Sequence, residues 1–149
     1  MAIKYVKTKV LTILQQHSCM RAYFPDLHFS GTDRKGVWTG PLKHTKLSQA
    51  YEVKVEYILG LWPEITILSP PLQKRDDQSR IPHVYEGDYP CLYYPKTGEW
   101  NPHKLIATYV IPWISMWLYF YEVWLATGNW YGEGIDHGEG AKSKEVTPL

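Results

Sequence analysis

Hydrophobic and charged residues alternate most regularly between Tyr51 and Leu59. Tyr51, Val53, Val55 and Tyr57 point one way, and Glu52, Lys54 and Glu56 point the other. A period of two predicts a β-strand with one covered face, as in an antiparallel sheet. The turn Gly60-Leu61-Trp62-Pro63 follows, and Glu64 to Leu68 is a second β-favouring run. Pro70-Pro71 stops it, because proline has no N–H for the ladder. Upstream, Val37 to Leu42 predicts a short strand broken by Gly40-Pro41. Tyr23 to Phe29 carries spaced apolar residues and ends in the turn signal Ser30-Gly31-Thr32-Asp33.

Helical spacing occurs at both ends of this meander. Ile3 to Met20 has Ile3, Val6, Val10, Ile13 or Leu14, and His17 along one face, with no interior proline or glycine. Near the other end, Ile106, Tyr109, Val110, Trp113, Trp117, Tyr121 and Trp124 recur at helical intervals. Asn101-Pro102 predicts the start of that helix, and Pro112 predicts a kink or break within it. Between strands and helix, Gln73 to Arg80 is a polar loop, and Ile81 to Trp100 holds too many prolines and glycines for a regular element. The expected fold class is α+β, a helix packed on an antiparallel meander of three or four strands. Residues 1–131 form the expected domain, and 132–149 a flexible tail rich in glycine and charge.

Composition narrows the picture. The 149 residues carry a net charge of +1, without the basic stripe that nucleic acid requires. Seven Trp and twelve Tyr exceed what a small core needs, which points to an aromatic interface on part of the surface. Leu105 to Ala126 holds one charge, Glu122, and is long enough to span a bilayer. Its Pro112, Thr108, Ser115 and three tyrosines, with no closely flanking basic cluster, favour a buried helix over a membrane span. Residues 1–16 do not read as a signal peptide, so a cytoplasmic protein with reduced Cys19 and Cys91 is expected. There is no Gly-rich phosphate loop and no dinucleotide fingerprint. The cysteines are 72 positions apart, with no Cys-x-x-Cys or His-x-x-x-His pair, so neither zinc nor a cofactor is expected.

Cys91 is the candidate chemical centre. It follows Pro90 on irregular backbone, where a thiol is accessible enough to serve as a nucleophile; a buried inert cysteine is the competing reading. Its surroundings run Ile81-Pro82-His83, then Val84 to Pro90, then Cys91-Leu92, with Trp100 nine residues beyond the cysteine. This order resembles the active-site region of ubiquitin-conjugating enzymes. Those carry His-Pro-Asn, seven intervening residues, the catalytic Cys followed by Leu, and a Trp soon after. Trp62 to Pro70 is similar to the family's "YPFKPPKVTF" element, and Tyr51 to Leu59 to its third strand. The resemblance covers roughly residues 3–126.

That resemblance implies a ubiquitin-conjugating-enzyme-like fold and a thioester on Cys91. It departs from the family at two places: Ile81 stands for the tripeptide His, and His83 for the Asn thought to stabilise the oxyanion. A neutral imidazole can still donate one hydrogen bond, so His83 is a candidate oxyanion donor or base; a loop histidine bonded to local backbone is the alternative. The missing Asn puts ordinary transfer to lysine in doubt. His103, in the predicted helix start, and His137, beside Asp136 in the tail, are further candidates to approach Cys91. Asp88 reads as a turn residue and Cys19 as structural.

Within the family the chain looks like the stand-alone conjugating-enzyme-like proteins of short type II CBASS antiphage operons. The implied acyl donor is then the C-terminus of a cGAS/DncV-like nucleotidyltransferase, with a separate activating enzyme or a pre-activated donor. The alternative is a non-catalytic conjugating-enzyme variant that only grips a protein partner.

Overall fold

The computed structural model describes residues 10–78, 80–85, 89–92 and 100–132, with no side-chain description at Tyr85. Four strands form an antiparallel sheet in sequence order: β1 (His28–Gly31), β2 (Lys35–Leu42), β3 (Tyr51–Ile58) and β4 (Glu64–Ser69). Helix α1 (Ile13–Tyr23) precedes them. The hairpin of β5 (Val84–Tyr85) and β6 (Tyr89–Pro90) follows, and then helix α2 (Ile106–Thr127). This is the α+β arrangement that the residue patterns predict.

The alternation in β3 does what its period requires. Tyr51, Val53, Val55 and Tyr57 are buried, while Glu52, Lys54 and Glu56 lie on the other face. They join Trp38, Ile65, Ile67 and the buried side of α2 in one core. Burial of each large side chain contributes about 2 kcal/mol, so this ladder of inward residues carries much of the sheet's stability.

Several expected boundaries move, each for a local reason. Gly40-Pro41 does not break β2, which pairs with β3 through Pro41↔Glu52 to Leu42↔Tyr51. Strand β1 begins at His28, opposite Thr39, so at Pro41 β2 has a partner on one side only, where a missing N–H is tolerated. Gly40 is needed for space, since a Cβ there would sit 2.7 Å from the Asp26 carbonyl oxygen. Ser30 and Gly31 belong to β1, and the turn comes at 32–34, closed by Thr32 N–H donating to the Lys35 carbonyl at 2.8 Å.

Helix α1 begins at Ile13 and not at Ile3. Thr12 takes extended backbone and forms a capping box with Gln15: the Gln15 N–H donates to Thr12 Oγ1 and the Thr12 N–H to Gln15 Oε1. Residues 3–9 of the expected helix lie outside the described residues. Helix α2 starts at Ile106, later than Asn101-Pro102 suggests. The Asn101 side chain instead accepts the His103 N–H at 2.9 Å in a preceding turn.

The cap for α2 comes from the other helix. Gln16, fully buried, accepts the Ile106 N–H at 2.9 Å through Oε1 and donates from Nε2 to the Lys104 carbonyl at 2.9 Å. At the far end Gly128 takes φ 84°, the left-handed conformation that closes helices. Arg75 donates to the Leu125 carbonyl at 2.7 Å, placing a cation at the negative end of the helix dipole. Helix α2 runs through Pro112 unbroken; Pro112 and Thr108, whose carbonyl loses its partner, are both exposed.

Glu122, the lone charge of α2, pairs with His44 of the β2–β3 loop. Burial, then the Glu122 charge, pushes the Tyr51 phenol above its usual range. No described helix is long and apolar enough to cross a membrane.

His17 ties α1 to the sheet. Its ring stacks on Phe29 with centroids 3.9 Å apart, and its Nδ1 accepts the Trp38 indole N–H at 3.2 Å. Burial, and secondarily Arg21, lower its pKa below the usual 6.5. A depressed histidine pKa means the unfolded chain takes up the proton more readily. The stabilisation is therefore complete above pH 6.5 and lost as pH falls through the lower folded value. Urea midpoints measured from pH 7.5 down to about 5 are expected to fall less steeply in His17→Asn, which cannot gain that charge.

Candidate functional site

The spacing around Cys91 has a direct structural meaning. Strands β5 and β6 pair antiparallel as Val84↔Pro90 and Tyr85↔Tyr89, a two-stranded hairpin. His83 and Cys91 close its open end: the Cys91 N–H donates to the His83 carbonyl at 2.8 Å. Seven intervening residues are what place the two side by side. The hairpin rests against the sheet, with β6 beside β4.

Cys91 is a partly exposed cysteine outside any disulfide, and Leu92 packs against the core next to it. Beside this segment lies a groove of about 920 Å³, whose walls include Ile58, Leu61, Trp62, Tyr89, Pro90 and Leu92. Tyr89, Pro90 and Leu92 face it, and Cys91 is not in its lining.

His83 is held on three sides. It is only 1% exposed, its ring centroid is 5.0 Å from that of Trp130, and its φ is 55°. Few side chains accept this left-handed backbone, and His, like Asn, is among the enriched ones. The position that resembles the family's Asn thus asks for a residue of that kind. The His83 carbonyl also accepts the Trp117 indole N–H at 2.9 Å. Ile81 is buried in the core.

The other predicted residues separate. Trp100 is fully buried, edge-on to Tyr57 at 5.6 Å and to Trp62 at 5.8 Å. His103 is exposed in the turn before α2. His137, Asp136 and Asp88 lie outside the described residues. Cys19 is a free thiol packed against the core. Among the described residues no group of three or more His, Cys, Asp or Glu could hold a metal ion.

Trp117 and Trp130 are the site's unforeseen members. Trp117 carries a signal in hindsight, because a buried indole N–H on the core face of a helix has to find an acceptor. Trp130 carries none, since only the reversal at Gly128 brings it back over His83.

The chain matches the model of the Type II CBASS E2 protein family over residues 16–138. It belongs to that family. The match spans most of α1, the sheet, the hairpin and α2, so it covers the elements that build the Cys91 site. No curated protein matches this CBASS E2 chain. Family membership makes it an E2-like conjugating protein that works with other CBASS proteins.

Proposed function

We propose that this CBASS E2 protein carries an acyl group on Cys91, taken from the C-terminal carboxyl of a partner protein. The observation that carries the reading is Cys91 itself: a partly exposed cysteine outside any disulfide, whose backbone is tied to His83 at the mouth of a hairpin. A nucleophile needs both access and a fixed position.

The donor enters activated, because the chain has no phosphate-binding loop of its own. A separate adenylating enzyme joins the carboxyl to AMP. Cys91 loses its proton and its sulfur attacks the carbonyl carbon; the C–S bond forms, the bond to the phosphate oxygen breaks, and AMP leaves with the electron pair. An amine or water then attacks the thioester and releases the thiol. The donor is the C-terminus of a cGAS/DncV-like nucleotidyltransferase, the CBASS component whose tail this family's role suggests.

Within this reading His83 acts mainly through its backbone. A base for an incoming amine has to meet that amine, and a ring only 1% exposed beside Trp130 presents almost no edge to solvent. His103 and His137 are secondary candidates for the proton transfer.

The test is intact-mass and non-reducing gel analysis after co-expression with the neighbouring operon products. The expected result is a conjugate that thiol reductant releases. Tyr109, Met116 and Tyr119 on the exposed side of α2 favour one competing reading, a binding module in which the thiol is idle. That module keeps full antiphage protection in cells when Cys91 is replaced by Ala and loses it when these side chains are changed.

A further inference from the structure

We propose that Trp117 is a positioning residue for Cys91, acting through the His83 carbonyl; this rests on the reading of Cys91 as the acyl-bearing thiol. The His83 oxygen accepts two hydrogen bonds, from the Cys91 N–H at 2.8 Å and from Trp117 Nε1 at 2.9 Å. A carbonyl oxygen has two lone pairs, and these two bonds use both.

The two donors come from different parts of the chain. One belongs to Cys91, directly after β6, and the other to the middle of α2, the longest helix of the fold. The shared oxygen therefore joins the mouth of the hairpin to the helix. Without the indole, the residue before β5 loses that tie while its φ stays at 55°, a conformation that non-glycine residues keep only when their surroundings enforce it. Trp117 is itself fixed: it is 4% exposed, stacked on Tyr121 at 5.5 Å with a 7° tilt, and packed on Trp130 at 5.5 Å. Because Trp130 also covers the His83 ring, one aromatic cluster grips His83 at both carbonyl and side chain. A reacting sulfur displaced by a fraction of an ångström loses much of the advantage of being held.

Trp117→Phe removes the N–H and keeps a ring to stack on Tyr121. Amide hydrogen exchange is expected to show the Cys91 N–H exchanging about tenfold faster, while Val53 and Val55 in the central strand keep their rates. Single-turnover thioester formation is expected to slow about tenfold, with the half-saturating donor concentration unchanged. Unchanged protection of the Cys91 amide overturns the proposal.

If Trp117→Phe also loses protection across β3, variants at His83 decide. His83→Gly and His83→Asn accept the left-handed backbone and are expected to keep the Cys91 amide protected, whereas the β-branched His83→Val loses it. Equal protection in all three overturns the proposal. Exchange needs no acyl donor, so the two readings fail separately. A wild-type chain that never forms an adduct refutes the acyl carrier and leaves the hydrogen-bonded tie in place. An adduct in the wild type, with exchange and rate untouched in Trp117→Phe, refutes positioning alone.

Discussion

Cys91→Ala abolishes the reductant-sensitive conjugate, and Cys91→Ser converts it to one that reductant does not release. Both outcomes are expected from the chemistry of the bond. Alanine has no nucleophile, so the adduct falls below detection. A serine hydroxyl at the same place can take the acyl group as an oxygen ester, which thiols exchange far more slowly than a thioester. The hairpin itself should survive either change. Its closing bond uses the Cys91 backbone, and the side chain is only partly buried, so unfolding free energy should move by about 1 kcal/mol or less. A mass adduct that persists in Cys91→Ala, in a chain that melts normally, would move the chemistry to another residue. Cys19, packed against the core, is the only other thiol in the sequence and a natural control.

The second large effect is on stability. Gln16→Leu is expected to lower the unfolding free energy by about 3 kcal/mol, although leucine is apolar, similar in size and a good helix former. Gln16 is fully buried and serves both the Ile106 N–H and the Lys104 carbonyl, so leucine strands a donor and an acceptor together. Each buried polar group left unsatisfied costs roughly 1–3 kcal/mol. Urea unfolding at neutral pH measures the loss through the midpoint at constant slope. A loss under about 1 kcal/mol would mean that water reaches the start of α2 and that α1 does not cap it. Because α2 carries Trp117, the same substitution should also weaken protection of the Cys91 amide.

How legible the chain was depended on the range of the interaction. β3 could be read residue by residue, because alternation with one covered face leaves its pattern directly in the sequence. The core face of α2 could be read at Ile106, Val110, Trp117, Tyr121 and Trp124, but Tyr109, expected on the same face, is exposed. The start of α1 carried a local sign, the capping box of Thr12 and Gln15, which the longer run of spaced apolar residues overrode; the start of α2 carried none, because its cap comes from Gln16, 90 positions earlier than Ile106. Pro41 misled because its effect depends on which side of β2 has a neighbour, a property of the sheet and not of the residue.

The site divides along the same line. Sequence alone determined the α+β class, the likeness to conjugating enzymes, and Cys91 at a set distance from His83, because these rest on residue types and short spacings. Only the tertiary structure decided that the spacing is a hairpin, that His83 is buried with a left-handed backbone, and that its carbonyl is shared between Cys91 and Trp117. Hydrogen-bond partners and burial arise when distant segments compete for the same interior space, and that competition is settled only once the chain has folded.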